Sequence, residues 1–244
     1  MGQLFNIILY QPLLNLLVFF YNILPGESLW LAIILVTIII KIIIFPLNRL
    51  SLKGQRAMNE LQPKLLEIRK KYPNNREKQA EETMALYKES KVNPCFSCLP
   101  LLIQFPVIIA VFQVFRAGLA SNNLPVYSFI ANPGTMNTIA FGFLNLAKSN
   151  VVFAVLAGFL QYLQAKMLPT TAPATDEIKK NEGAKDENMM TAMNKQMKFM
   201  MPFLTVFMGL TLPSGLMIYW ITSLCLTIIE QKMILHPVKQ NSKP

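Results

Sequence analysis

Residues 36–47 read VTIIIKIIIFPL, a run of isoleucines with Lys41 at its centre and Pro46 near its end. A stretch this apolar belongs in lipid or in a sealed core, and either place is costly for an ammonium group. Snorkelling relieves the cost poorly, because Arg49, eight residues further on, lies about 12 Å along a helix and a lysine stem reaches about half of that. A central lysine costs about 3 kcal/mol on membrane-insertion scales and each isoleucine recovers a few tenths, so the charge is tolerated without requiring a role.

The composition around this run indicates an integral membrane protein. Of 244 residues, 53% are hydrophobic and only 15% are charged, against about 25% charged in an ordinary soluble domain. The mean hydropathy is +0.38, and three cysteines are too few for a disulfide scaffold. The net charge of +10 fits cytoplasmic loops held near anionic lipid better than nucleic-acid binding in a chain of this class.

The apolar segments predict an all-α membrane protein with a bundle of five transmembrane helices, since one span needs about 20 apolar residues. The predicted spans are 26–47, 97–118, 150–168, 197–212 and 213–234. The fourth has only 16 residues, about 24 Å against a hydrocarbon core of about 30 Å. Local thinning of the bilayer is therefore expected beside it.

Residues 1–25 differ from the other apolar segments because they carry a polar stripe. Gln11, Asn15 and Asn22 fall within about 40° of one another at about 100° per residue. This pattern predicts an extracytoplasmic amphipathic helix lying in the membrane interface and ended by Pro25 and Gly26. The length also allows a sixth spanning helix, and that alternative stays open.

The distribution of lysine and arginine predicts the orientation. Eleven of these residues lie in segment 48–95, six in 166–198 and three from Lys232 to the end, whereas the opposite side has only Arg116 and Lys148. The positive-inside rule places the N-terminus outside and the C-terminus in the cytoplasm. Segment 119–149 is then an extracytoplasmic loop, 169–196 a cytoplasmic linker and 235–244 a cytoplasmic tail.

The largest polar block, residues 48–96, carries two series of apolar residues at helical spacing. These are Met58, Leu61, Leu65 and Ile68, then Ala80, Met84 and Tyr87. Turn residues separate the series and Pro63 kinks or restarts the first arm, so a cytoplasmic helical hairpin is expected. The block is either a solvated loop near anionic phospholipids or a docking surface. Its candidate docking residues are Arg56, Lys64, Arg69, Lys70 and Lys71.

Five longer motifs resemble the YidC/Oxa membrane protein insertases in order and spacing. They are MNELQPKLLEIRKKY from Met58, MALYKESKVNP from Met84, CLPLLIQFPVIIAVF from Cys98, QYLQAKMLP from Gln161 and PSGLMIYWITSLCLTIIEQ from Pro213. The resemblance covers roughly residues 10 to 235. It implies five spans, a cytoplasmic hairpin after the first and an interfacial helix before it. The chain looks like the compact bacterial core form, without a large extracytoplasmic domain.

The resemblance also implies a water-filled intramembrane groove facing the position of Lys41, where the family normally has arginine five residues before the proline that closes the first span. Lysine keeps the charge but lacks the planar fork of arginine. Polar residues expected to share the groove are Thr37, Gln104, Gln164, Trp220 and Thr222; helix–helix hydrogen bonding is the alternative role for each. Because Glu230 lies near the cytoplasmic end of its span, a permanent salt bridge is not expected and water is the expected partner of Lys41.

The implied activity is passive membrane insertion. A client's short polar tail would enter the groove, which spares part of its desolvation cost, while its apolar helix moves into lipid. The sliding surface would comprise Leu160, Leu163, Leu216 and Ile218. Expected partners are nascent or completed membrane proteins and anionic phospholipids, with the Sec translocon, targeting machinery and ribosome as candidates. The expected location is the bacterial plasma membrane.

Other function classes are weakly supported by the residues. There is no GxxxxGK[ST] loop and His236 is the single histidine, so neither an ATP motor of that type nor a histidine-based catalytic or zinc site is expected. Cys95 and Cys98 form a CxxC that coincidence explains best. No cofactor, metal or specific nucleic-acid recognition is predicted. A transporter or channel, and an assembly factor that does not insert its clients, remain the alternatives.

Overall fold

In a computed structural model the protein is a bundle of helices with one small hairpin of strands. The structure describes residues 2–73, 75–93, 95–120, 124–167 and 199–235, without the side chains of 95–101, 120 and 235. The helices are α1 (Gln3–Ile23), α2 (Leu29–Glu60), α3 (Gln62–Lys71), α4 (Arg76–Glu89), α5 (Cys95–Ala120), α6 (Val151–Met167), α7 (Phe199–Thr211) and α8 (Ser214–Leu235). The strands are β1 (Ile139–Ala140) and β2 (Leu144–Asn145), paired antiparallel. The predicted linker 169–196 and tail 235–244 lie almost wholly outside the described residues.

The prediction of an all-α membrane protein is confirmed at the level of class. Within the described ranges, three helical stretches are long and apolar enough to cross a membrane: Gln3–Ile23, a window of Leu29–Glu60 and Leu102–Leu119. Helices α6 and α7 are apolar but shorter. Length and composition therefore place α1 among the candidate spans, although its polar stripe predicts an interfacial helix.

Helix α2 does not end where the first predicted span ends. It runs for 32 residues, through Pro46 and on to Glu60, so the first predicted span and the start of the predicted hairpin share one continuous helix. A proline removes one helical hydrogen bond, and membrane helices tolerate that loss when neighbouring groups compensate. The break comes instead at Leu61, and α3 restarts with Pro63 in its first turn, where a missing N–H costs nothing.

Helices α3 and α4, called the helix pair below, pack against each other through a small apolar cluster. Leu61, Leu65 and Leu86 are its buried members. The turn between the helices ends with Asn75, whose side chain accepts a hydrogen bond from the Lys78 amide at 3.0 Å and caps α4. A side-chain oxygen in this position satisfies one of the free N–H groups at a helix start.

The inward face predicted for the second arm is displaced from the observed one. Ala80 and Met84 are exposed and Tyr87 is half-buried, whereas Leu86 is buried. A short helix with one neighbour buries only a narrow stripe, and the rotation of that stripe depends on the partner. Here Leu86, which directly precedes Tyr87, meets Leu61 and Leu65.

The relative directions of the long helices follow from their contacts. Gln104 and Phe115 of α5 meet Tyr219 and Gly215 of α8, so α5 and α8 run antiparallel. Helices α2 and α8 run parallel, as their paired residues described below require. We call the end where α2 and α8 begin the loop end, and the end that continues into α3 the helix-pair end.

Helices α6 and α7 approach each other through small residues. A Cβ built on Gly158 would overlap Val206, and one built on Gly209 would lie 2.7 Å from the Cβ of Ala154. Small residues permit this close approach of backbones, which replaces the hydrophobic drive that is missing between helices in lipid. The opposite face of α7 carries exposed apolar side chains such as Phe203 and Phe207, as a lipid-facing helix requires.

The segment 124–150 joins α1 to the loop end of the bundle. The Asn15 side-chain oxygen accepts a hydrogen bond from the Tyr127 amide at 2.6 Å, and the Tyr21 hydroxyl accepts one from the Asn137 amide at 2.7 Å. Asn15 is only 3% exposed. The polar stripe of α1 is therefore used in part to bind this segment, rather than to face water along its whole length.

Candidate functional site

Lys41 is buried at the interface between α2 and α8. Its side chain is 8% exposed, and Nζ donates a hydrogen bond to Oγ1 of Thr227 at 2.8 Å. The Thr227 hydroxyl in turn donates to the backbone carbonyl of Ser223, also at 2.8 Å. This hydroxyl thus accepts from the ammonium with its lone pair and keeps its own proton satisfied.

A second polar contact joins the same two helices two turns further toward the helix-pair end. Asn48 Nδ2 donates to Oε2 of Glu230 at 3.2 Å. Glu230 is 7% exposed and close enough to Lys41 for their charges to attract each other. We call Lys41, Asn48, Ser223, Thr227 and Glu230 the polar seam.

The seam follows from the helical spacing of its residues on α2 and on α8. Ser223, Thr227 and Glu230 succeed one another at intervals of four and three residues on α8, which places them on one face. Lys41 and Asn48 are seven residues apart on α2, again one face. Sequence reasoning singled out Lys41 but missed Asn48 and Thr227 as its neighbours, and it placed Glu230 out of reach. The spacing of small polar residues on α8 was the available signal.

Two of the polar residues predicted to share a groove with Lys41 form hydrogen bonds with other protein groups. Thr37 is fully buried one turn from Lys41, and its hydroxyl donates to the Ile33 carbonyl of its own helix at 2.6 Å. Gln104 donates to the Tyr219 hydroxyl at 2.9 Å and so joins α5 to α8. This bond matches the alternative role considered for these residues, helix–helix hydrogen bonding.

The remaining predicted groove residues lie apart from the seam or at its edge. Gln164 accepts a hydrogen bond from Gln161 at 3.1 Å, within α6. Trp220 is half-buried and lies on the same face of α8 as Thr227, two turns toward the loop end. Thr222 is half-buried and points about 140° away from Thr227 at about 100° per residue.

A cavity between α1, α2, α5 and α8 lies on the loop side of Lys41. Apart from Thr37 and Tyr219, its lining is glycine or apolar: Leu13, Leu17, Ile33, Val36, Val111, Val114, Phe115 and Gly215. Lys41 does not line it. This space is apolar, so it differs in chemistry from the water-filled groove that the resemblance implies.

The predicted sliding surface divides into two groups. Leu160 and Leu163 of α6 are half-buried, whereas Leu216 and Ile218 of α8 are 1% and 7% exposed. The two groups differ in burial because α8 packs against α2, α5 and α6. A helix that is surrounded by other helices buries its apolar residues on several sides, so Leu216 and Ile218 contact protein rather than lipid.

The basic residues of the predicted docking surface lie on or next to the helix pair. Lys64, Lys70 and Lys71 are exposed and Arg69 is half-buried. Arg56, near the end of α2, forms an ion pair with Glu60 at 3.1 Å. Basic residues at a surface can attract anionic lipid or an anionic partner.

The residues considered for metal and thiol chemistry are described only in part. No group of three or more His, Cys, Asp or Glu side chains there could hold a metal ion. Cys225 of α8 is a free, exposed thiol. The side chains of Cys95 and Cys98, and the whole of His236, lie outside the described residues.

Comparison with known proteins relates this arrangement to a family. The profile of the family described as 60Kd inner membrane protein matches residues 19–241. Proteins named membrane protein insertase YidC from Haemophilus ducreyi, Actinobacillus pleuropneumoniae serotype 3 and Geobacter metallireducens are 34%, 35% and 32% identical over 224 residues. Each match covers 92% of this chain and 36% of the relative. The chain therefore spans about a third of the length of these relatives.

Proposed function

Because the chain belongs to the 60Kd inner membrane protein family, as its YidC/Oxa-like motifs predicted, we propose that it is a membrane protein insertase. Its clients are membrane proteins with short polar segments to be moved across the bilayer. The similar proteins are named for this activity, and in this chain we assign it to the polar seam.

The proposed layout has five spans, formed by α2, α5, α6, α7 and α8. The N-terminus lies outside and the C-terminus in the cytoplasm, as the lysine and arginine distribution favours. The helix pair is then the cytoplasmic hairpin. Support for an interfacial α1 comes from its hydrogen bonds to segment 124–150 through Asn15, Tyr21 and Asn22, because a helix bound to one external loop along two turns lies on the same side of the membrane as that loop.

One observation carries the proposal: Lys41 is buried within an isoleucine run and its hydrogen-bond partner is a hydroxyl rather than a carboxylate. Intramembrane charges are costly and usually serve a pathway or a partner. An ammonium held by Thr227 keeps most of its charge available to an incoming group. The seam also continues through Asn48 and Glu230 toward the helix-pair end. In the proposed layout this end lies on the cytoplasmic side.

In the proposed mechanism α2 and α8 separate locally and the client's polar tail enters along the seam. Polar side chains and water replace part of the tail's hydration, and Lys41 attracts its acidic residues. The client's apolar helix moves past Leu160 and Leu163 into lipid, driven by hydrophobic transfer without ATP hydrolysis. A membrane potential that is positive outside adds about 2.3 kcal/mol per negative charge and 100 mV.

The helix pair is the proposed receiving surface for clients or their targeting machinery. Its exposed residues Lys64, Lys70 and Lys71 would also hold it near anionic phospholipids, at about 1 kcal/mol per basic residue. Contacts with the Sec translocon or the ribosome would use the same surface.

The test is insertion of a single-spanning client with a short acidic tail into proteoliposomes. We expect Lys41→Leu to lower the initial insertion rate at least about tenfold, equal to about 1.4 kcal/mol, and Lys41→Arg to retain most of the rate. Lys53→Leu is the matched control, since Lys53 is an exposed lysine of the same helix. If Lys41→Leu inserts the client at the wild-type rate, the charge of the seam plays no part in the mechanism. If the wild-type protein inserts nothing, the insertase proposal is wrong for this client.

A further inference from the structure

We infer that Glu230 is the internal counter-charge of Lys41 and competes with a client's acidic groups for that ammonium, so that it sets the charge selectivity of the seam. The inference rests on the proposed function for its second half, because competition requires a client. Its first half concerns two side chains of this protein and stands apart from any activity.

The geometry places the two charges on one face of one interface. Lys41 Nζ donates to Thr227 at 2.8 Å, and Glu230 lies three residues after Thr227 on α8. Side chains at this spacing are neighbours, with about 5–6 Å between their Cβ atoms. On the α2 side, Asn48 lies two turns after Lys41 and donates to Glu230 at 3.2 Å. Thr227 and Asn48 thus hold the ammonium and the carboxylate near each other without a direct ion pair.

Burial strengthens the electrostatic interaction between these two charges. Glu230 is 7% exposed and Lys41 is 8% exposed, so water screens their interaction less than at a surface. An isolated buried charge is strongly unfavourable, and an opposite charge nearby offsets part of that cost. Each of the two groups is therefore the natural compensation for the other while the seam is empty.

A client carboxylate that approaches Lys41 must then share the ammonium with Glu230. Glu230 repels the incoming negative charge and weakens the net attraction, whereas a neutral tail experiences little of either effect. The negative charge at position 230 therefore lowers the preference for acidic tails that Lys41 alone would create.

The first experiment is a double-mutant cycle on thermal unfolding of the purified protein in detergent. Glu230→Gln keeps the shape and an oxygen that accepts from Asn48, so it removes the charge alone. We expect it to lower the melting temperature when Lys41 is present, and to leave it unchanged or raise it in the Lys41→Met background. Equal shifts in both backgrounds would overturn the counter-charge assignment.

The second experiment measures insertion of two clients that differ only in an acidic or a neutral tail. Glu230→Gln is expected to raise the acidic-to-neutral rate ratio about fivefold, which corresponds to about 1 kcal/mol at RT of about 0.59 kcal/mol, and this rise should vanish with Lys41→Leu. Glu67→Gln, an exposed glutamate of α3, is the control and should leave the ratio unchanged. An unchanged ratio in Glu230→Gln overturns the competition.

The two experiments separate the inference from the proposed function. If no variant inserts either client, the competition fails together with the proposed function, while the unfolding cycle still decides whether the two charges are coupled. If insertion proceeds but the cycle is additive, the insertase proposal survives and the inference about Glu230 is wrong.

Discussion

The two halves of α8 pack against their neighbours through opposite chemistry. Toward the loop end, Gly215 lies directly against the ring of Phe115 and the neighbouring cavity is lined mainly by apolar side chains. Toward the helix-pair end, α8 meets α2 through the polar seam, with Lys41 bound to Thr227 and Asn48 bound to Glu230.

The difference shows how one helix, α8, can take part in both a rigid and an adaptable interface. Close packing of small residues against rings depends on shape and loses its stabilisation as soon as the helices separate. Polar contacts can be exchanged for water or for a client's polar groups at little net cost. The apolar half is therefore suited to hold the bundle together, and the polar half to open.

The largest expected effect breaks the apolar half. Gly215→Ala puts a methyl group into the Phe115 ring, and overpacking of this kind costs up to about 3 kcal/mol. Gly118→Ala is the matched control, because its Cβ would meet only the flexible end of Met136, with Sδ at 3.2 Å. Thermal unfolding in detergent should show a large loss for the first variant and little change for the second. Equal losses would mean that the contact at Gly215 is not special.

A smaller effect is expected in the polar half. Thr227→Val keeps the shape but removes the hydroxyl that accepts from Lys41, leaving a buried donor without that partner at a cost of about 2 kcal/mol. Thr222→Val changes a half-buried threonine on another face of α8 and should cost less. Denaturation of both variants measures the difference. A Thr227→Val protein as stable as wild type would show that Lys41 finds a replacement partner within the seam.

The smallest effect concerns the attachment of α1. Asn15→Ala removes the acceptor of the Tyr127 amide, a hydrogen bond worth about 1 kcal/mol net, together with a local bond that the same side chain donates to the Gln11 carbonyl of α1. Hydrogen exchange should become faster at Tyr127 and its neighbours. Asn22→Ala, which removes a bond from an exposed side chain to the Ala131 carbonyl, is the control and should affect exchange less. Unchanged exchange in both variants would show that these hydrogen bonds to α1 do not stabilise segment 124–150.

The fold class and the family could be predicted from the sequence because both depend on local patterns. Long apolar runs predict membrane helices, and the motif from Pro213 to Gln231 already resembled an insertase span. The sequence did not show that the helix of the first predicted span continues past Pro46 to Glu60. A proline weakens a helix by one hydrogen bond, and whether it ends there depends on the rest of the packing.

The candidate site was predicted only in part. Lys41 stood out because a lysine among isoleucines is rare and costly. Its partner Thr227 did not stand out, because the periodicity of α8 predicts a polar face but does not predict which helix that face contacts. The same limit explains Leu216 and Ile218, which look like lipid-facing residues in the sequence and are buried in the bundle.

The sequence alone determined that this protein lies in a membrane, that it is helical and that one charge must be accommodated inside an apolar run. Hydropathy and helical period are properties of short segments, and they survive without knowledge of the fold. Only the tertiary structure decided how that charge is accommodated. It brings Thr227 to Lys41 across 186 residues of chain, because hydrogen-bond partners in a bundle are selected by how whole helices rotate and pack against one another.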